Sequence, residues 1–110
     1  MSYRIRYLPR AVANKKEIRA YLAQYYQNTA KKFFSLLKKR IEQLQEFPYS
    51  CPVYEDRPQY RKLVVQSYLV FYKVNEDSKT VEIQRIFPGS WEVERQFNDD
   101  APTTERKPNA

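Results

Sequence analysis

At 110 residues the chain has room for one modest hydrophobic core and not for two. It has no histidine and a single cysteine, Cys51. That excludes Ser-His-Asp and Cys-His machinery, an internal disulfide, and a metal site built on that thiol alone. The net charge of +7 is lopsided: residues 1–40 carry eleven Lys/Arg against Glu17 alone, whereas residues 41–110 carry nine against twelve acids. Such a cationic first third attracts nucleic acid, an acidic protein or an anionic membrane, and charge alone does not choose among them.

Tyr3 to Leu8 (YRIRYL) alternates Tyr3, Ile5 and Tyr7 with Arg4 and Arg6, the pattern of a short strand with one apolar face. Pro9 ends it and suits the first position of a helix, where its missing N–H costs little. From about Arg10 to Tyr26, Ala11, Ile18, Tyr21, Leu22 and Tyr25 recur at helical spacing. A break at Gln27-Asn28-Thr29 offers Asn28 or Thr29 as cap for a second helix reaching about Phe47. Ala30, Phe33, Phe34, Leu37, Ile41 and Leu44 share one face of that helix. Lys31, Lys32, Lys38, Lys39 and Arg40 take much of the rest, either as a solvated face or as a dock for an anionic partner. The short connection makes the two helices a hairpin.

Prolines at 48, 52 and 58 make Phe47 to Gln59 a loop, in which Cys51 reads as an incidental thiol. Tyr60 to Val74 (YRKLVVQSYLVFYKV), broken at Gln66-Ser67, and Thr80 to Phe87 (TVEIQRIF) read as three antiparallel strands at about 60–66, 68–74 and 80–87. After Pro88-Gly89-Ser90, Trp91 to Phe97 is expected to form a short helix against the sheet. Residues 98–110 read as a disordered tail to a single domain over 1–97. The expected architecture is α+β: an N-terminal helical hairpin packed on a curved, mainly antiparallel sheet, whose first strand must pair with one strand of the meander. No apolar run approaches the roughly 20 residues that cross a bilayer. Nor is there a signal-peptide pattern, so the expected location is the cytoplasm.

The succession YRIRYLPRA, EIRAYL, IEQLQEFP, YRKLVVQSYLVFYKV and VEIQRI resembles the RelE/ParE superfamily, over residues 3 to 97. These are toxins of type II toxin–antitoxin, or plasmid stabilisation, modules. The resemblance implies the same α+β fold, a growth inhibitor and a cognate antitoxin that neutralises it. It leaves two target classes open. RelE-like members cleave mRNA on the ribosome, whereas ParE-like members inhibit gyrase without nucleolytic chemistry. A degenerate toxin that only binds its antitoxin is a third possibility.

RNA cleavage without metal or histidine needs cations around the phosphate and groups that move protons. The resemblance implies, by an ungapped match through the hairpin and the Gly89 turn, that one lysine of the RelE-like cluster falls on Lys62. An arginine of that cluster falls on Leu69, another near Ser90-Trp91, and its C-terminal tyrosine on Phe97. One cation is kept; two arginines and the phenol are lost, which favours a ParE-like or other non-RelE mode. If the chain is an enzyme, it is a metal-independent endoribonuclease with no cofactor, and the remaining candidates are Lys62, Arg61, Arg85 and Arg95. Arg61 and Lys62, being adjacent, point to opposite sheet faces. Arg85 interrupts an apolar face, as either a satisfied structural guanidinium or a functional one, and Arg95 reads as solvating the short helix. Tyr21, Tyr25, Tyr68 and Tyr72 are expected in the core rather than as base-stacking platforms.

Overall fold

A computed structural model describes residues 2–25 and 27–98. Strand β1 (Arg4–Tyr7) leads into helix α1 (Pro9–Tyr25), with Pro9 in the first helical position, and then into α2 (Gln27–Glu42) and a 3-10 turn (Gln43–Gln45). The long loop brings the chain to β2 (Arg61–Val65), β3 (Tyr68–Asn75), β4 (Thr80–Pro88) and a short α3 (Val93–Asn98). Helix α2 already begins at Gln27, so Asn28 and Thr29 lie inside its first turn and neither is its cap; Tyr26 lies outside the described residues. The expected tail is likewise outside them, apart from Asn98. The second helix stops short of Phe47: that residue precedes Pro48, which disfavours helical backbone, and the helix closes through the 3-10 turn.

The sheet order is β1-β4-β3-β2. The meander pairs antiparallel, but β1 runs parallel to β4, with Arg4 opposite Thr80 and Tyr7 opposite Ile83. Parallel pairing needs a long crossover, and the hairpin, loop and first two meander strands supply it. Between Phe71↔Arg85 and Tyr72↔Ile83 the register slips by one residue at Gln84. This bulge changes the facing of β4. Val81 and Ile83 join the helix-side core before it; beyond it Ile86 does so, while Phe87 packs on the opposite face. Arg85 therefore interrupts the apolar pattern where the strand changes its alternation.

The helix-side core holds Ala11, Ile18 and Leu22 of α1, with Ala30, Phe33, Leu37 and Ile41 of α2. They pack on Leu63, Val65, Val70, Tyr72, Val81 and Ile83 of the sheet. Tyr72 is fully buried and donates its hydroxyl to the Pro48 carbonyl at 2.8 Å. Burial raises its pKa. Tyr68 is half-buried against Phe33, at 4.7 Å between ring centroids. Tyr21 and Tyr25 correct the expectation: they are 55% and 59% exposed. They sit on the helical stripe, but Asn14, Ile18 and Leu22 take its buried positions and the last turns of α1 leave both rings in solvent.

Where β1 ends, β4 continues with an open outer edge. Leu8 N–H donates to the Ile83 carbonyl at 3.0 Å, and Asn14 Oδ1, from α1, accepts the Ile86 N–H at 2.9 Å. A side chain thus replaces the missing strand, which is why a polar residue stands in the buried stripe of α1. The only glycine in the chain, Gly89, allows another close approach. Its N–H donates to the Ser67 carbonyl at 2.7 Å, and a Cβ there would stand 3.2 Å from the same oxygen. This contact fixes the end of β4 against the β2–β3 turn.

Candidate functional site

The sheet face turned away from the helical hairpin carries a second cluster. Phe71 of β3, Phe87 of β4 and Phe97 of α3 are buried together, with Tyr54, Tyr60, Leu69 and Val93 packed around them. Tyr60 stacks on Phe97 at 4.8 Å, Phe71 meets Phe97 edge-on at 5.0 Å, and Phe87 stacks on Trp91 at 6.2 Å. Such aromatic pairs add to the stabilisation from burial. Arg57, from the long loop, binds α3 from the side: it pairs with Glu94 Oε1 at 2.8 Å and lies 4.9 Å from the centre of the Phe97 ring. Leu69, Trp91 and Phe97, at or beside the positions where the resemblance leads one to expect the RelE-like arginines and phenol, all belong to this apolar assembly or border it.

The four candidate catalytic residues do not converge. Lys62 lies on this face, half-buried, with its ammonium 5.6 Å from the centre of the Tyr54 ring beside a cavity of about 300 Å³. Arg61 points away from it, donating to the Cys51 carbonyl at 2.7 Å and covering the Tyr49 ring at 4.9 Å. It ties the proline-rich loop to β2. Arg85 is 4% exposed. Its Nε donates to Asn14 Oδ1 at 3.3 Å and its Nη1 to the Gln96 carbonyl at 2.5 Å, joining α1 to α3. Arg95 is exposed on α3. A phosphate at Lys62 would find no second cation of this set pointing at it.

Cations do converge elsewhere. A groove of about 890 Å³ between β1 and the two helices has Ile5, Tyr7, Phe34, Leu37 and Ile41 in its wall, and Arg4, Lys15, Arg19, Lys31 and Lys38 around it. Among the described residues Glu42 is the one acid lining it. Lys15 lies 4.2 Å from the centre of the Tyr7 ring and Arg19 the same distance from that of Phe34. Partial burial, then the nearby charges of Arg19 and Lys38, lower the Lys15 pKa, which marks a site with positive charge in excess. Of the lysine run expected to meet a partner, Lys31 and Lys38 line this groove, whereas Lys32, Lys39 and Arg40 do not. Arg4, Lys15 and Arg19 were the residues missed. The signal that could have found them is the hairpin itself, which sets Lys15 and Arg19, one turn apart on α1, against Lys38 and Phe34 of α2.

Among the described residues no group of His, Cys, Asp and Glu is placed to hold a metal ion, and no helix is long and apolar enough to cross a membrane. A family model described as the ParE toxin of the type II toxin–antitoxin system parDE matches residues 5–91. The chain belongs to this family. It is the toxin component of a type II toxin–antitoxin system, and its partner is an antitoxin protein. No curated protein matches it. Among solved structures, a chain of the chromosomal ParDE system from P. aeruginosa is 16% identical with a TM-score of 0.67, over 79% of this chain and 96% of that one. A mutant of the E. coli toxin RelE in the free state is 15% identical with a TM-score of 0.62, over 97% and 99%. The E. coli RelBE toxin–antitoxin complex gives 16% and 0.59, over 82% and 100%. At these identities the likeness is one of fold, and it embraces ParDE and RelBE proteins alike. The fold therefore leaves the mode of action to the residues on it.

Proposed function

We propose that this ParE-family toxin stops growth in the cytoplasm by binding a protein target, with gyrase the leading candidate, rather than by cleaving RNA. One observation carries the reading: the sheet face that would have to gather cations around a phosphate is filled by Phe71, Phe87, Phe97 and Leu69, and the cations at its margin, Lys62, Arg57 and Lys73, each lie over a different ring, Tyr54, Phe97 and Tyr60. Each absent transition-state contact would cost about 3–4 kcal/mol of barrier lowering. On this reading Arg61 and Arg85 hold the loop and α3 in place, and Arg95 solvates its helix. The antitoxin is neutralising because it occupies the basic groove, inserting apolar side chains between the two helices and β1 while its acids meet Lys15, Arg19, Lys31 and Lys38.

The test is induction of the chain without its antitoxin. Arrested replication with filamentous cells and intact message is expected, and Lys62→Ala should be as toxic as the native chain. Translation arrest with cleaved message, relieved by Lys62→Ala, would instead establish the ribosome-dependent endonuclease. Unhindered growth would leave a protein that only binds its antitoxin.

A further inference from the structure

The flank of α1 opposite the basic groove has a different character. At about 100° per residue, Lys15 and Arg19 fall on one side of the helix and Glu17 and Tyr21 on another. Glu17 is the single acid among residues 1–40. It lines a cleft of about 450 Å³ between α1 and the Gly89 turn, together with Asn14, Ile18, Tyr21, Tyr68 and Trp91. This cleft shares no lining residue with the basic groove.

Three features of the cleft ask for a ligand of one kind. Tyr21 and Trp91 are 55% and 45% exposed: Trp91 is held parallel to the buried Phe87, and Tyr21 stands beside the equally exposed Tyr25 at 5.2 Å. Large apolar groups fixed at the surface are kept for contact more often than for folding. Next, Glu17 pairs with no cation among the described residues, although it sits in the most basic third of the chain. Finally, aromatic faces beside a carboxylate match a guanidinium, which is planar and weakly hydrated, stacks on rings and forks onto carboxylate oxygens. An ammonium gains less from the rings, and a nucleotide would bring its phosphate towards Glu17.

We propose that this cleft receives an arginine side chain of the protein target, stacked against Tyr21 and Trp91 and paired with Glu17. This rests on the reading that the target is a protein. The acidic segment expected in the basic groove is the wrong partner for Glu17, so target and antitoxin contact opposite flanks of α1.

The chain holds one tryptophan, so its indole N–H gives a single resonance that reports on the cleft. The isotope-labelled full chain is titrated with N-acetyl-arginine amide, with the lysine analogue and guanosine monophosphate as comparisons. A saturable shift of the Trp91 indole is expected with the arginine probe, about tenfold weaker with lysine and lost in Glu17→Gln, a surface change that spares the fold. No saturable shift, an undiminished shift in Glu17→Gln, or preference for the nucleotide overturns the proposal. In cells, Glu17→Gln should lower toxicity at least tenfold while the antitoxin still binds. If the arginine probe binds but Glu17→Gln remains fully toxic, the cleft is not the target surface and the proposal falls, with the binding mode of action intact. Cleaved message in the induction experiment would instead remove the protein target while leaving the titration as it stands.

Discussion

The two faces of the sheet are built differently. The helix side is mostly aliphatic: its buried residues come from both long helices and β2, β3 and β4, with Ile5 and Tyr7 of β1 half-buried against them. The other side is mostly aromatic and, among the described residues, is covered by the six-residue α3 and part of the long loop. The first face carries the core that sets the fold, and the second, covered by less of the chain, bears less of the stability.

Substitutions at matching depths would break or sharpen this contrast. Phe33→Ala, at 2% exposure between the helices and the sheet, should cost about 3–5 kcal/mol in urea unfolding, because rigid elements on every side prevent collapse into the cavity. Phe97→Ala, at 4% exposure on the other face, should cost about 2–3 kcal/mol, since α3 can lift away instead of leaving a void. Equal losses would make the aromatic face a second core and end the comparison. Asn14→Ala addresses the link between the faces: it strands the Ile86 N–H and removes a partner of Arg85, for about 1–3 kcal/mol. Faster amide exchange at Ile86 is the local sign to look for.

The smallest effect lies at the sheet's far end. Hydrogen bonds from Lys79, Tyr49 and Tyr3 hold the Glu76 carboxyl down to about 2, and the same bond pushes the Tyr49 phenol up to about 12. A carboxyl depressed from about 4.5 stabilises the fold fully above that pH, and the benefit fades as pH falls through 2. The stability gap between the native chain and Glu76→Gln should therefore be present at neutral pH and close on acidification, followed by thermal melts. The cluster is solvent-exposed, so the gap is small. A gap that does not change with pH would show that these bonds contribute nothing.

The α2 stripe from Ala30 to Leu44, the three meander strands and the short first strand were legible because hydrophobic period and turn residues encode them locally. The pairing of β1 with β4 was not. Any meander strand could have satisfied its backbone, and the choice depends on where the hairpin returns the chain. Tyr21 and Tyr25 misled for a related reason: periodicity tells which side of a helix is apolar, not how far the underlying sheet extends. Of the site, the apolar character of Leu69 and Phe97 was visible, as was the basic character of α2. That Arg61 and Arg85 are bound to backbone carbonyls depends on contacts across 10 and 11 residues with a loop and a terminal helix, and no local pattern announces them.

The pairing of β1 with β4 also sets a timetable. Helix α1 packs on β4, the last strand to be made. On the ribosome, then, the first strand and α1 must wait for β4 before their apolar faces can close. At about 5–20 residues per second, the stretch from Glu42, where the second helix ends, to Pro88 takes about 2–9 s to synthesise. For that interval the nascent chain is a basic helical hairpin without a complete sheet to lie on, and an antitoxin that binds the groove as proposed would meet the hairpin before a folded toxin.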